Sequence, residues 1–478
     1  MPKGALLIVH VEFWERFSFY GMLAIFVLFL TNPTSNGGFG WDKASALGLV
    51  GLYSGLSYGL PVFGGFLADR FIGPHLAITL GTATMTVGHL LLAAPALVPT
   101  MIGGADVAAF FESEGFALGR FQITAEVQTS IQRAALEDGL DSAAAVRAYR
   151  AVTMSFYAAL ACLVVGNSLM KSILTVQLGN QFQLNDPNRD TAFSYYYLSI
   201  SAAGLVAGIL VGTIGERIGW HYGFSIAGIG MSFAFLSYAM CSRRWLSARS
   251  LQSEKIKNKA AHTTISAFPR LVLICLCAVF LALFMASWFQ LFGSWMLFIQ
   301  QHVDQNVFGF EMPTSWMISI NSIVVILAAP LLAWTWLKLA KRSIVLDFPA
   351  KLCIALSIAA VSQGLFILTA SNPAPILLLP LLAIGLISVS EVIAWVPAYS
   401  FVYRIAPQGY TASVMGLFYL ITMGLSGFLA GQLGKLGEYY GYLQFFQIMA
   451  MGTVMIAAVF FALAWAMRRQ AKRLQLEL

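Results

Sequence analysis

The sequence predicts an all-α polytopic membrane protein of about twelve transmembrane helices, arranged as two bundles of six. Three observations carry that expectation: an excess of apolar residues, their division into runs long enough to span a bilayer, and one basic stretch that separates six runs from six. Of the 478 residues, 59% are hydrophobic and only 10% are charged, against roughly 45–50% and 25% in an ordinary soluble domain. A soluble core cannot absorb that excess, so the main solvent must be lipid.

Apolar runs of spanning length lie near 7–31, 45–68, 75–99, 151–175, 191–214, 220–241, 271–299, 314–338, 348–370, 374–403, 410–433 and 442–467. The first run follows Met1 to Gly4 at once and carries Glu12, Glu15 and Arg16. A cleavable signal peptide would not tolerate those charges in its apolar region, so the first helix is expected to stay. Twelve crossings put both termini on one side. Placing that side in the cytoplasm keeps Arg70, Arg189, Lys338, Lys341, Arg342, Arg404, Arg468, Arg469, Lys472 and Arg473 inside, and leaves mainly Lys43, Arg217 and Lys435 in the short external loops. The expected location is the bacterial inner (plasma) membrane. The net charge of +7 then sets topology, and no basic face for nucleic acid is predicted.

The longest basic segment holds Arg243, Arg244, Arg249, Lys255, Lys257 and Lys259. It reads as a cytoplasmic linker over 242–270, between an N-terminal bundle at 1–241 and a C-terminal bundle at 271–478. A second polar segment, about 100–146, is expected outside; its Ala-rich, Pro-free stretch from Ile123 to Arg150 predicts surface helices. The halves also carry a trace of duplication. At an offset of 223, Tyr196, Gly204, Ala207 and Gly208 align with Tyr419, Gly427, Ala430 and Gly431, as parallel six-helix repeats with a midplane substrate site would require. Cys162, Cys241, Cys275, Cys277 and Cys353 lack metal-ligand spacing, so neither a disulfide framework nor a metal is expected, and no cofactor.

A charge at the centre of a spanning helix costs about 2.5–3.5 kcal/mol on insertion scales, so each one needs a reason. Five stand out: Glu12, Glu15, Arg16, Lys171 and Glu391. Glu12, Arg16 and Tyr20 follow one another at i+4 and Glu15 shares their face. An isolated Lys171 would have to deprotonate or find carboxylates, and Glu12 and Glu15 are its expected partners. Glu391 has no charged neighbour in its own helix before Arg404. Three acids and two bases leave the set at −1, and one added proton makes it neutral, which is what symport requires. The competing reading is a neutral packing knot of buried ion pairs. His10, His89 and His302 titrate by type, but they read as structural. Gly424 to Gly427 matches the GxSG pattern of intramembrane serine proteases, although small residues packing helices explain it without a catalytic histidine.

The run EFWERFSFYG from Glu12 to Gly21 resembles the ExxERFxYYG signature of the proton-dependent oligopeptide transporters. Further similarity runs in order through Gly64 to Arg70, Gly166 to Lys171, Phe193 to Gly204, Gly219 to Phe224, Pro313 to Asn321, Ser390-Glu391 and Ala406-Pro407. The resemblance implies a major-facilitator fold and proton-coupled import of di- and tripeptides by alternating access, with short peptides and protons as partners and a monomer as the working unit. It implies that Glu12, Glu15, Lys171 and Glu391 couple protons. Arg16, Tyr20 and Lys171 would hold the peptide carboxylate, and Asn321 and Glu391 the amino terminus. Tyr58, Gln290, Phe418 and Ser201 would line the pocket, while Asp69 and Arg70 would form a cytoplasmic gate. The sequence departs from the family pattern at Phe19, Ser168, Ser201 and the late Pro397. Loss of a phenol at Phe19 and an amide at Ser201 keeps a non-peptide solute on the same fold as an alternative. An intramembrane hydrolase and a passive channel are more remote ones.

Overall fold

The structure, a computed structural model, describes residues 1–120, 124–183, 186, 188–246, 267–344, 346–406 and 411–473. Among the described residues, twelve helices are long and apolar enough to cross a membrane. In order the spans are Lys3–Thr31, Lys43–Ile72, Pro74–Glu114, Ser142–Gly179, Thr191–Arg217, Trp220–Trp245, Phe268–His302, Trp316–Ala340, Phe348–Ala370, Leu378–Val402, Val414–Tyr440 and Tyr442–Arg469. They are called the first to twelfth span below. Hydropathy alone placed every one, because lipid demands a long unbroken apolar run.

The ends differ where helix continues past the apolar run. The fourth span begins at Ser142, since Asp141 caps it by accepting from the Ala143 N–H at 2.9 Å. Ala144, Ala145, Ala148 and Tyr149 in those early turns are buried, so the helix is kept by packing. The expected surface helix is therefore limited to Ala125–Glu137, capped by Thr124. Among the described residues, one two-stranded hairpin interrupts the all-α plan: Asn306–Val307 pairs with Phe310–Glu311, and Phe308 and Gly309 turn it with φ of 53° and 85°. The linker residues 247–266 and Pro407 lie outside the described residues.

The chain divides into two compact units, Met1–Val50 with Phe63–Ser253, and Gly51–Val62 with Glu254–Leu478. In the first unit the third and fourth spans touch backbone to backbone. A Cβ on Gly81 would lie 2.7 Å from the Gly166 carbonyl oxygen, and one on Gly166 would lie 2.6 Å from that of Gly81. Lipid offers apolar helices no hydrophobic reason to associate, so close approach through small residues supplies the dispersion contact.

The segment around Leu118 and Arg120 is pinned to the loop that follows the first span. Leu118 donates its N–H to the Phe39 carbonyl at 3.0 Å, and the Trp41 indole donates to the Leu118 carbonyl. Arg120 reaches Asp42 at 2.7 Å and Ser45 at 3.0 Å.

In the second unit, the middle of the second span packs on the eleventh span through facing glycines. A Cβ on Gly51 would lie 2.5 Å from the Gly431 Cα, and one on Gly55 would lie 3.0 Å from the Gly424 carbonyl oxygen. That seam is why residues 51–62 group with the second half of the chain. Ser426 lies on the same stretch and donates to Thr422 and Met423 carbonyls of its own helix, at 2.7 and 3.0 Å.

Candidate functional site

Among the described residues, each unit buries a centre built on carboxylates inside its spans. In the first unit, Glu12, Glu15 and Arg16 on the first span are 0%, 0% and 2% exposed, and the i+3 and i+4 spacing of a helix is what puts them on one face. Arg16 donates through both arms to Glu15, its Nε at 2.5 Å from Oε2. Its Nε also lies 3.8 Å from Glu12. Lys171 enters from the fourth span and donates to Glu12 Oε1 at 2.5 Å and to Glu15 Oε2 at 3.4 Å. Tyr196, from the fifth span, donates its phenolic O–H to the other oxygen of Glu12 at 2.6 Å. The sequence pairing of Lys171 with Glu12 and Glu15 is therefore present as an ion-paired network. Removing one partner from such a network typically costs about 3–5 kcal/mol, because it strands a buried charge.

The arrangement has a chemical consequence. One ammonium is shared by two carboxylates, so a proton added to either carboxylate removes one of its two attractions. Arg16 contributes a flat cation whose centre lies 4.5 Å from the Phe19 ring and 5.7 Å from that of Tyr20. Phe19 is buried, so the position that departs from the family pattern stacks on the guanidinium instead of presenting a phenol.

In the second unit, Glu391 on the tenth span has a different environment. Its Oε2 accepts from the Trp288 indole at 2.7 Å and from the Asn321 amide at 3.1 Å. The same amide donates to Ser388 at 2.8 Å. Among the described residues no lysine or arginine pairs with Glu391; its partners are neutral donors. A carboxylate so held can take up a proton, or meet a cation that the protein does not itself supply.

The residues expected to line a pocket are spread through the second unit, with Ser201 in the first. Tyr58 is buried against Phe289 and Tyr419, with ring centroids at 5.7 and 6.1 Å. Phe418 and Ser201 are buried too. Gln290 donates to the Ala286 and Ala430 carbonyls at 3.2 and 3.0 Å and accepts from Ser294 at 2.7 Å, so its amide ties the seventh span to the eleventh. Arg70 is exposed in a π-helical turn over Ala68–Ile72, with its guanidinium 6.0 Å from the Phe66 ring; the Asp69 side chain lies outside the described residues. No three His, Cys, Asp or Glu side chains among the described residues converge as metal ligands would.

Two contributors escaped the sequence reading. Tyr196 was visible only as a repeat position and within the resemblance, and Trp288 only as one aromatic among many in an apolar run. Either could have been found by asking which donors would satisfy a carboxylate that lipid cannot solvate.

Comparisons with known proteins agree with this organisation. The sequence pattern of the POT family matches residues 75–268 and 246–441. The chain is 26% identical to the uncharacterized transporter YclF of Bacillus subtilis (strain 168), covering 95% of this chain and 93% of that one. It is 25% identical to the peptide transporter YePEPT of Yersinia enterocolitica, covering 88% and 85%. A di-/tripeptide transporter of Lactococcus lactis is 31% identical over 50% of this chain and 37% of its own length. Among solved structures, a peptide transporter POT in complex with sulfate superimposes with a TM-score of 0.79 at 21% identity, covering 98% and 96% of the two chains. A POT family transporter in complex with 5-aminolevulinic acid gives 0.80 at 20%, covering 98% and 97%. These likenesses show the major-facilitator fold of two six-helix bundles. With twelve spans, that fold and a family pattern covering most of its length, the chain belongs to the POT family of membrane transporters.

Proposed function

We propose that this transporter is a proton-coupled symporter that imports di- and tripeptides by alternating access across the bacterial inner membrane, with both termini cytoplasmic and the monomer as the working unit. The observation that carries this reading is the Lys171 ammonium held by two carboxylates of the first span. Protonation of Glu12 or Glu15 loosens Lys171, which then joins Arg16 and Tyr20 in binding a peptide carboxylate. Glu391 with Asn321 takes the peptide ammonium, the cation that its neutral partners leave it able to accept. Tyr58, Gln290, Phe418 and Ser201 belong to the pocket wall, and Asp69 with Arg70 to a cytoplasmic gate. Inward release returns the proton and re-forms the ion pairs. Each net charge moved inward gains about 2.3 kcal/mol per 100 mV.

Proteoliposomes with an imposed inward proton gradient test the reading directly. They should concentrate a labelled dipeptide, and an uncoupler should abolish the accumulation. Glu12→Gln, Glu15→Gln and Lys171→Ala should each lose gradient-driven accumulation, while at least one retains peptide counterflow, because exchange needs binding without net proton movement. Full accumulation by all three would defeat the coupling scheme.

A second reading is favoured by Phe19. Its ring against Arg16 removes a phenol from the neighbourhood of a peptide backbone, and one structural neighbour holds the small zwitterion 5-aminolevulinic acid. A non-peptide zwitterion would present the same two poles. Failure of di- and tripeptides to compete for uptake of such a solute would select that reading.

A further inference from the structure

We propose that one edge of the second unit is a binding site for the headgroup of an anionic phospholipid. The site lies where the eighth, tenth and twelfth spans end and the ninth begins, so alternate spans bring these ends to the same side. Seven cations lie at or near these ends: Lys338, Lys341, Arg342, Lys351, Arg404, Arg468 and Arg469. The one described acid among them is Asp347, and it is fully engaged. Arg468 grips it through Nε at 2.6 Å and a terminal nitrogen at 2.9 Å, and the Ala350 N–H adds a third bond at 2.9 Å. Asp347 also attracts Lys351, and among the described residues no carboxylate pairs with Lys338, Lys341, Arg342, Arg404 or Arg469.

The aromatic residues argue for lipid as the source of that anion. Lys338 lies 4.6 Å from the Trp334 ring centroid, Lys351 5.3 Å from Trp336, and Arg469 4.4 Å from Trp465. Trp334 and Trp465 are 57% and 61% exposed, and Leu331, Leu337 and Phe461 beside them are exposed as well. Exposed indoles with apolar neighbours belong at the membrane–water boundary, where the cations they carry stand at the depth of lipid phosphates. The bias of basic residues toward one side accounts for the sign of this patch. It does not account for Lys338 and Arg469 laid on exposed indoles at ends whose one described acid is already engaged. At the other end of the same unit, Asp304, Glu311 and Glu438 outnumber Lys435, so the charge complementarity is confined to one leaflet. A phosphodiester carrying acyl chains fits both halves of the patch, its phosphate on the free cations and its chains on the apolar surface.

The full chain in nanodiscs of phosphatidylcholine, with phosphatidylglycerol added stepwise, tests this through the unfolding temperature. The parent should be stabilised by roughly 2–4 °C as the anionic lipid is introduced. The Lys338→Ala/Lys341→Ala/Arg342→Ala variant should lose most of that gain. An Arg243→Ala/Arg244→Ala variant, which removes exposed charge from the first unit, should keep it and so exclude a general surface attraction. Should the triple variant not fold, raising salt on the parent toward about 1 M must erase the gain by screening. Equal stability in the two lipids, or a gain that survives the triple substitution or high salt, overturns the proposal. An equal gain from inorganic phosphate added to pure phosphatidylcholine discs would also overturn it, by assigning the cations to a free anion.

Discussion

At the scale of single residues, the two polar centres differ in what they lack. The Glu12, Glu15, Arg16 and Lys171 cluster balances its own charge, whereas Glu391 is met by an indole and an amide. If Glu391 receives a peptide ammonium, a charge-assisted bond of about 1.5–3 kcal/mol is at stake. Glu391→Gln should therefore weaken a free-amine dipeptide by roughly tenfold or more. It should barely change the weak binding of the same peptide with an acetylated amino terminus. Calorimetry on both ligands decides it, and equal losses would detach Glu391 from the ammonium. His89 offers a separate residue-scale test. It is completely buried on the third span, and neither ring nitrogen has a partner among the described residues. An unsatisfied polar group is a liability in a core, so His89→Leu should leave the unfolding temperature unchanged or raise it. A fall of several degrees would mean that the ring holds a partner such as water.

At the scale of elements, two contacts divide the structural work. The segment from about 100 to 146 is held to the loop after the first span by Arg120 on Asp42 and Ser45. None of the proposed site residues lies in that segment. Arg120→Ala should therefore speed limited proteolysis at the Ala125–Glu137 helix while leaving peptide affinity within about twofold, as expected for a partly exposed ion pair. Lost binding in a folded variant would contradict this. The glycine seam is less forgiving. At Gly51 any side chain meets the backbone of Gly431, and backbone cannot rotate out of the way as a side chain can. Gly51→Leu should cost more stability than Gly364→Leu, where a Cβ meets nothing within 4 Å, and thermal unfolding of the two variants makes the comparison.

For the whole molecule, pH acts on carboxylates outside the spans in both units. Burial opposes ionisation of Asp42, but Arg120 and the Ser45 donors outweigh it and hold the carboxyl below its ordinary value. At Asp347 burial again opposes, and the Arg468 fork, the Ala350 N–H and the charges of Arg468 and Lys351 prevail. A depressed folded value contributes stability above the unfolded pKa of about 3.9, lost as pH falls through the folded value. Both pairs are partly exposed, so each contributes about 0–1 kcal/mol. The parent should thus lose more unfolding temperature than Asp42→Asn/Asp347→Asn when pH drops from about 7 to about 3. An identical loss in both proteins would remove these pairs from the acid response.

The number and order of the spans are legible in hydropathy, because the bilayer imposes an apolar run of fixed length on every crossing. The sequence also marked Glu12, Glu15, Arg16, Lys171 and Glu391, since charge inside a span is costly enough to require a purpose. The tertiary structure alone decided which groups satisfy those charges. Tyr196 on Glu12 and Trp288 on Glu391 depend on how far each helix is rotated and how deep it sits, and hydropathy encodes neither. The same holds for the grouping of residues 51–62 with the second unit. Glycines spaced along one helix carry no sign of which partner they will meet; the close approach of Gly431 does.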